Sequence, residues 1–200
     1  MNIIKLGLFF CAILVAGGLY AQVAPGQRAP DFTLTDSNGQ KHSLSDYKGK
    51  FVVLEWFNPD CPFVKKHYNS GNMPGLQKEY STKGVVWLSI NSSAPGKEGS
   101  YTAQGFNKYM TSKGAAPTAV LLDTDGKVGH LYDAKTTPDM YVIDPKGDLI
   151  YQGAIDDTPG TDPAEIKTAR NYVSAALDLS FSGKPVAVSS TKSYGCSVKY

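Results

Sequence analysis

The sequence predicts a single α/β domain in which a central mixed sheet is flanked by helices. Three observations lead there. Phe51-Val52-Val53-Leu54 is an unbroken apolar run, closed a few residues later by Asn58-Pro59-Asp60. Such a run reads as a strand buried on both faces, as in the middle of a parallel sheet. A second run, Val85-Val86-Trp87-Leu88-Ser89-Ile90, follows a stretch with helical spacing. Strand, helix, strand in that order predicts a parallel pair joined by a right-handed crossover. Finally, Asp144-Pro145-Lys146-Gly147 is strong turn chemistry between Tyr141-Val142-Ile143 and Leu149-Ile150-Tyr151. That adds an antiparallel pair and makes the sheet mixed.

The elements follow in order. Residues 1–21 read as a signal peptide: Lys5 supplies a positive start, residues 6–19 a short apolar stretch, and Leu19-Tyr20-Ala21 a cleavage-like site before Gln22. Cys11 leaves with it, and an exported location, periplasmic or extracellular, follows. The stretch is short and glycine-containing for a membrane anchor, so no anchor is expected after cleavage. A Pro/Gly-rich lead-in precedes an N-terminal hairpin, Phe32–Thr35 and Gln40–Leu44 around Asp36-Ser37-Asn38-Gly39. Helices are expected from Pro62 to about Tyr68, from Met73 to Lys83 and from Tyr101 to Lys113. Thr118–Leu122 reads as a further buried strand and Lys127–Tyr132 as a helical turn. Pro163 opens an expected last helix, with Ile166, Ala169, Tyr172, Val173, Ala176 and Leu177 at helical spacing. The domain is thus expected over 22–183, and 184–200 forms a mobile Ser/Thr/Lys-rich tail that carries Cys196.

Composition bounds the function. The chain of 200 residues is 42% hydrophobic, 19% charged and 11% aromatic, enough apolar material for a core without metal or disulfide. A net charge of +2, with no cluster of five basic residues, gives no ground for a nucleic-acid or anionic-membrane partner. The three histidines, His42, His67 and His130, fall in separate segments without ligand spacing, so no metal and no organic cofactor is expected.

Chemistry is expected at Cys61. Pro59-Asp60 stops the strand, Asp60 or Cys61 caps the next helix, and Pro62 fits its first position. The thiol then lies at the carboxyl end of a central strand and the amino end of a helix, where an anion is stabilised. The competing reading is a small buried hydrophobe. Lys65, four residues on, shares the thiol's helical face, as a partner for a thiolate or as a solvated lysine, whereas His67 points elsewhere. After export two cysteines remain, Cys61 and Cys196, in a compartment where disulfides persist.

Four segments carry a family resemblance: Ala29-Pro30-Asp31-Phe32, Tyr47-Lys48-Gly49-Lys50, Cys61-Pro62-Phe63-Val64-Lys65 and Thr137-Pro138-Asp139. In this order, around a buried strand, they resemble the thioredoxin-like fold. Within it they resemble the redoxins of the alkyl hydroperoxide reductase/thiol-specific antioxidant family, peroxiredoxin-like group, whose Gly-Cys-Ser-x-Lys tail matches Gly195–Lys199. The resemblance implies Cys61 as the reactive thiol and Thr137-Pro138 as a Thr-cis-Pro facing it, turned to receive an extended chain. It implies a thiol-dependent oxidoreductase acting on a protein disulfide or a small peroxide, with a thiol reductant as partner.

The sequence also departs from its relatives. Thioredoxins carry CxxC, but here Val64 and Asn58 stand three residues to either side of Cys61. Peroxiredoxins place Pro seven and Thr or Ser three residues before the thiol, where Leu54 and Asn58 stand here. The arginine of that site has no counterpart, because Arg28 and Arg170 lie outside strand-like segments. Peroxide reduction is therefore expected to be weak. Cys196 either resolves Cys61 as the missing second thiol or forms a permanent clamp with it. The alternative function is a non-catalytic binding module of the same fold, with a structural Cys61–Cys196 disulfide.

Overall fold

The structure is a computed structural model and describes residues 23–200; the expected signal peptide and Cys11 lie outside the described residues. Its centre is β3 (Val52–Trp56), every residue of which is buried. On one side β3 pairs in parallel with β4 (Val86–Asn91), and β4 in parallel with β5 (Ala119–Leu122). On the other, β7 (Asp139–Ile143) runs antiparallel to β3, and β8 (Leu149–Gly153) antiparallel to β7. The N-terminal hairpin, β1 (Thr33–Asp36) and β2 (Lys41–Ser43), extends this mixed sheet beyond β5, giving the order β2-β1-β5-β4-β3-β7-β8.

Alternation along β3 divides the core. Val53 and the following Phe57 face one layer with α1 (Pro62–Asn69), α2 (Asn72–Thr82), α3 (Ala103–Lys113) and α5 (Tyr172–Phe181). Val52, Leu54 and Trp56 face the other, closed by Phe32, Leu44 and α4 (Lys127–Leu131). Trp56 and Trp87 are fully buried, and each points its indole N–H at an oxygen: Ser92 Oγ at 3.0 Å and Glu55 Oε2 at 2.8 Å. Burial of an indole requires such a partner.

Two expectations need correction. The single helix expected from Pro163 is broken: Pro163–Lys167 forms only a 3-10 turn, and α5 starts at Tyr172 under an Asn171 cap that accepts the Ser174 N–H. Tertiary contacts outweigh the apolar period. Buried Lys66 draws Glu165 to 3.0 Å, the Arg170 N–H is taken by Asp157 Oδ1, and the Tyr172 N–H by the Ile155 carbonyl.

The tail, expected to lie free, is docked on the domain. Its residues 189–191 lie along β8, where Gln152 N donates to the Ser189 carbonyl and Thr191 N to the Gln152 carbonyl. It then forms β9 (Cys196–Ser197), antiparallel to β6 (Thr136–Thr137), and ends with Tyr200 donating to the Ala134 carbonyl at 2.7 Å and stacked on His130. Its hold comes from backbone pairing, from Tyr194 and Tyr200, and from the Thr191 hydroxyl, which bonds Tyr151 Oη and accepts the Ala154 N–H, so composition gave no sign of it.

Candidate active site

The end of β3 delivers the thiol. Past Trp56 the chain leaves the sheet, and the Cys61 N–H closes a turn onto the Asn58 carbonyl at 3.1 Å. Cys61, not Asp60, is the N-cap of α1, with Pro62 at the first helical position, where a missing N–H leaves nothing unpaired. Asp60 is engaged elsewhere, accepting from Gly99 N at 3.2 Å and Tyr101 Oη at 2.9 Å. Lys65 lies 3.9 Å from Asp60 Oδ1 and is half exposed, so it pairs with that carboxylate.

The loop ahead of β7 faces the thiol. Thr137-Pro138 is a cis peptide, as the resemblance implied, and the Cys61 thiol donates to the Thr137 carbonyl at 3.0 Å. Cys61 is 0% exposed. The pairing of Thr137 with Cys196 brings the second cysteine to the same place, beside the carbonyl that receives the Cys61 thiol. Both are free thiols. Burial, and then the neighbouring Cys61, push the Cys196 thiol up to about 12. Cys61, Cys196, Thr137 and Pro138, the four expected site residues, therefore converge.

Sequence reasoning missed three further groups. Glu55, fully buried on the Phe57 face of β3, receives Tyr68 Oη at 2.8 Å, Trp87 Nε1 at 2.8 Å, Ser89 Oγ at 2.8 Å and Gln77 Nε2 at 3.2 Å. Burial raises its pKa against the pull of those donors. A lone acid inside an otherwise apolar strand was the available signal. His67 is also fully buried; Asn72 Nδ2 donates to its Nδ1 at 2.8 Å, which leaves the ring proton on Nε2, toward Tyr194 Oη at 3.4 Å. Burial lowers its pKa to about 4, so its 3.9 Å approach to Asp156 is not an ion pair at neutral pH. Asp139, directly after the cis proline, is buried and accepts the Lys135 N–H at 3.0 Å; burial raises it to about 7.

Two buried oxygens near the thiol, Tyr109 Oη and Thr137 Oγ1, have no partner among the described residues. Tyr109 lies within the electrostatic reach of both Glu55 and Cys61. The cleft lined by Arg28, Asp31, Tyr47, Lys50 and Asp144 opens at the opposite end of β3 and takes no part in this site.

Comparison with known proteins agrees with the fold. Thiol-disulfide oxidoreductase ResA of Bacillus subtilis (strain 168) is 32% identical over 128 residues, which is 64% of this chain and 66% of that protein. The match thus spans just under two thirds of that relative's length. Among solved structures, an uncharacterised conserved protein from Geobacillus kaustophilus superposes with a TM-score of 0.74 at 30% identity, covering 88% of this chain and 92% of that one. A hypothetical protein from Sinorhizobium meliloti 1021 shares the fold, with a TM-score of 0.74 at 24% identity over 90% and 96% of the two chains. The AhpC/TSA family model matches residues 25–152, and with the buried strand, the capping thiol and the cis proline all in place, the chain belongs to that family.

Proposed function

We propose that this chain is an exported thiol-disulfide oxidoreductase in which Cys61 is the attacking thiol and Cys196 the resolving one. The observation that carries it is the meeting of the two thiols across Thr137, at the amino end of α1. The name of the Bacillus subtilis relative supports the reaction class. The basic-then-apolar start of the sequence supports export, with a processed form beginning near Gln22.

The chemistry divides between the cysteines. The Cys61 thiolate attacks one sulfur of a partner's disulfide; a new S–S bond forms, and the other partner sulfur leaves as a thiolate. Cys196 stays protonated at neutral pH rather than attacking unprompted. Once Cys61 is in the mixed disulfide its negative charge is gone, and one cause of the raised Cys196 pKa goes with it. Cys196 then loses its proton and attacks the Cys61 sulfur, releasing the second partner thiolate. Two electrons have passed to the partner, and the chain holds a Cys61–Cys196 disulfide. An external dithiol restores it by the reverse steps.

Three forms of the protein test this against an oxidised protein substrate. Wild type should transfer two electrons and end with a Cys61–Cys196 bridge in non-reducing peptide maps. Cys196→Ser should stop at a mixed disulfide on Cys61, and Cys61→Ser should not react. A bridge that forms but resists dithiol reduction in the folded protein, with no mixed disulfide in Cys196→Ser, would establish the binding-module alternative instead.

A further inference from the structure

A buried nucleophile needs a route to its partner, and here the tail covers it. Cys61 has no exposed surface, and the backbone edge beside it, Thr136–Thr137, is occupied by the chain's own Cys196–Ser197. The tail lies there as an extended peptide, pairing Thr137 with Cys196 and presenting a cysteine to Cys61.

The fit depends on Gly195. Its φ is +137°, which L side chains rarely adopt, and a Cβ there would strike the Thr137 carbonyl oxygen. That oxygen is also the one that receives the Cys61 thiol. The residue before the cysteine therefore has to be glycine for the strand to lie this close.

The anchors of the tail stand to either side. Upstream, Tyr194 Oη donates to Asp156 and its ring meets Phe63 edge-on at 5.9 Å. Downstream, Val198 N donates to the Lys135 carbonyl at 3.1 Å, Ala94 N to the Lys199 carbonyl at 2.8 Å, and Tyr200 stacks on His130 with ring centroids 4.0 Å apart. Lys199 and Glu98 add only a partly exposed pair at 3.6 Å. These contacts, with the Tyr200 hydroxyl on the Ala134 carbonyl and Val198 against the core, hold a strand of only two residues, so local opening costs less than unfolding.

We propose that β9 is a tethered occupant of a docking edge. A partner protein exchanges with it strand for strand, laying an extended Gly-Cys segment antiparallel to Thr136–Thr137 and placing its disulfide sulfur against Cys61. This rests on the oxidoreductase reading above and adds the step that admits the partner, displacement of the chain's own strand from the edge. After exchange Cys61 attacks, the partner's S–S bond breaks with loss of a thiolate, and the tail re-docks to bring Cys196 onto the mixed disulfide.

The test uses the full chain with Cys11→Ser and Cys196→Ser, so that Cys61 is the single thiol. The probe is a synthetic copy of residues 193–198 whose cysteine is activated as a mixed disulfide with 2-nitro-5-thiobenzoate, and the yellow thiolate released is followed. A second peptide has alanine in place of its glycine. Reactivity scales with the fraction of open chains, so adding Gly195→Ala to the protein should speed release about tenfold or more. The pair Tyr194→Ala, Tyr200→Ala, which cuts the anchors away from the thiol, should do the same. The glycine peptide should outrun the alanine peptide in every variant. Hydrogen exchange of residues 194–198 reports whether the tail has left.

Equal rates for the covered and freed chains would overturn the exchange step. So would persistent protection of the tail in Gly195→Ala, or equal rates for the two peptides. If the freed chain releases no thiolate from either peptide or from the activating reagent alone, the oxidoreductase reading falls, and the docking edge with it.

Discussion

A thiol reduces peroxide quickly only where fixed donors polarise the oxygen that leaves. Asn58 occupies the place of the family's Thr or Ser, and both ends of its amide are engaged: Oδ1 accepts from Asp60 N at 2.8 Å and Nδ2 donates to the Glu98 carbonyl at 3.1 Å. Arg28 reaches toward Lys146 and Asp148 at the far end of the sheet, and Arg170 lies over Tyr172. Neither serves Cys61. Stopped-flow oxidation of the reduced protein by hydrogen peroxide should therefore run at a rate close to that of an ordinary free thiolate. A rate several orders of magnitude higher would show that Tyr109 or Thr137, the unpartnered hydroxyls, does the polarising. Asp139 gives a second residue-level prediction. Its carboxyl titrates near 7 in the folded chain against 3.8 as the ordinary value, so the folded state binds the extra proton between those limits. Stability is then lost as pH rises through that window and levels off above it, at about 1 kcal/mol per pH unit or less. His67, lowered to about 4 from 6.5, tilts stability the other way between those values. Asp139→Asn retains the His67 effect, so urea unfolding of the two proteins should diverge from pH 4 to 7 and run parallel above. Parallel curves throughout would show Asp139 ionised over the whole range.

At the scale of elements, legibility follows the range of the interactions that build each one. The turn from β3 into α1 was readable because local chemistry fixes it: an apolar run, a Pro-Asp stop, and a proline at the first helical position. The hairpin of β7 and β8 was readable for the same reason, through Asp144-Pro145-Lys146-Gly147, whose Gly147 takes φ +90°. The last helix was misread because its apolar positions keep a helical period across the break at Thr168–Asn171. What interrupts it is Lys66 on α1, buried and bonded to the Thr158 and Gly160 carbonyls as well as Glu165. A lysine in a basic segment carries no mark of that role in sequence. The tail shows no apolar period, since β9 is held by backbone pairing and by single residues, Gly195, Tyr194 and Tyr200, whose partners lie far away in sequence. The site itself was half legible: Cys61, Cys196 and Thr137-Pro138 came from residue type and family resemblance. His67 and Asp139 are polar groups buried by distant partners, and no local pattern announces them; Glu55 carried one sign, a lone acid inside an apolar strand.

For the whole molecule, a bridge between Cys61 and Cys196, both free thiols here, would tie redox chemistry to stability. It would close a loop of 135 residues, which by chain entropy destabilises the unfolded state by about 4–5 kcal/mol. Forming it removes the thiol's hydrogen bond to the Thr137 carbonyl, a loss of about 1 kcal/mol. The oxidised fold should then be more stable than the reduced one by about 3–4 kcal/mol, a rise in melting temperature of about 10 °C for a chain of this size. The same free energy must appear in the reduction potential, because the thermodynamic cycle linking folding and oxidation closes. At about 30 mV for each 1.4 kcal/mol, the folded pair should sit about 60–90 mV below the same two cysteines in the unfolded chain. Calorimetry of both redox forms, together with glutathione titration of the folded and urea-unfolded chain, measures the two sides independently. Agreement at these values places both sulfurs within bonding reach with the tail docked. Equal melting temperatures would mean that forming the bond strains the β6–β9 pairing by as much as loop closure gains, leaving a disulfide held ready for transfer rather than for stability.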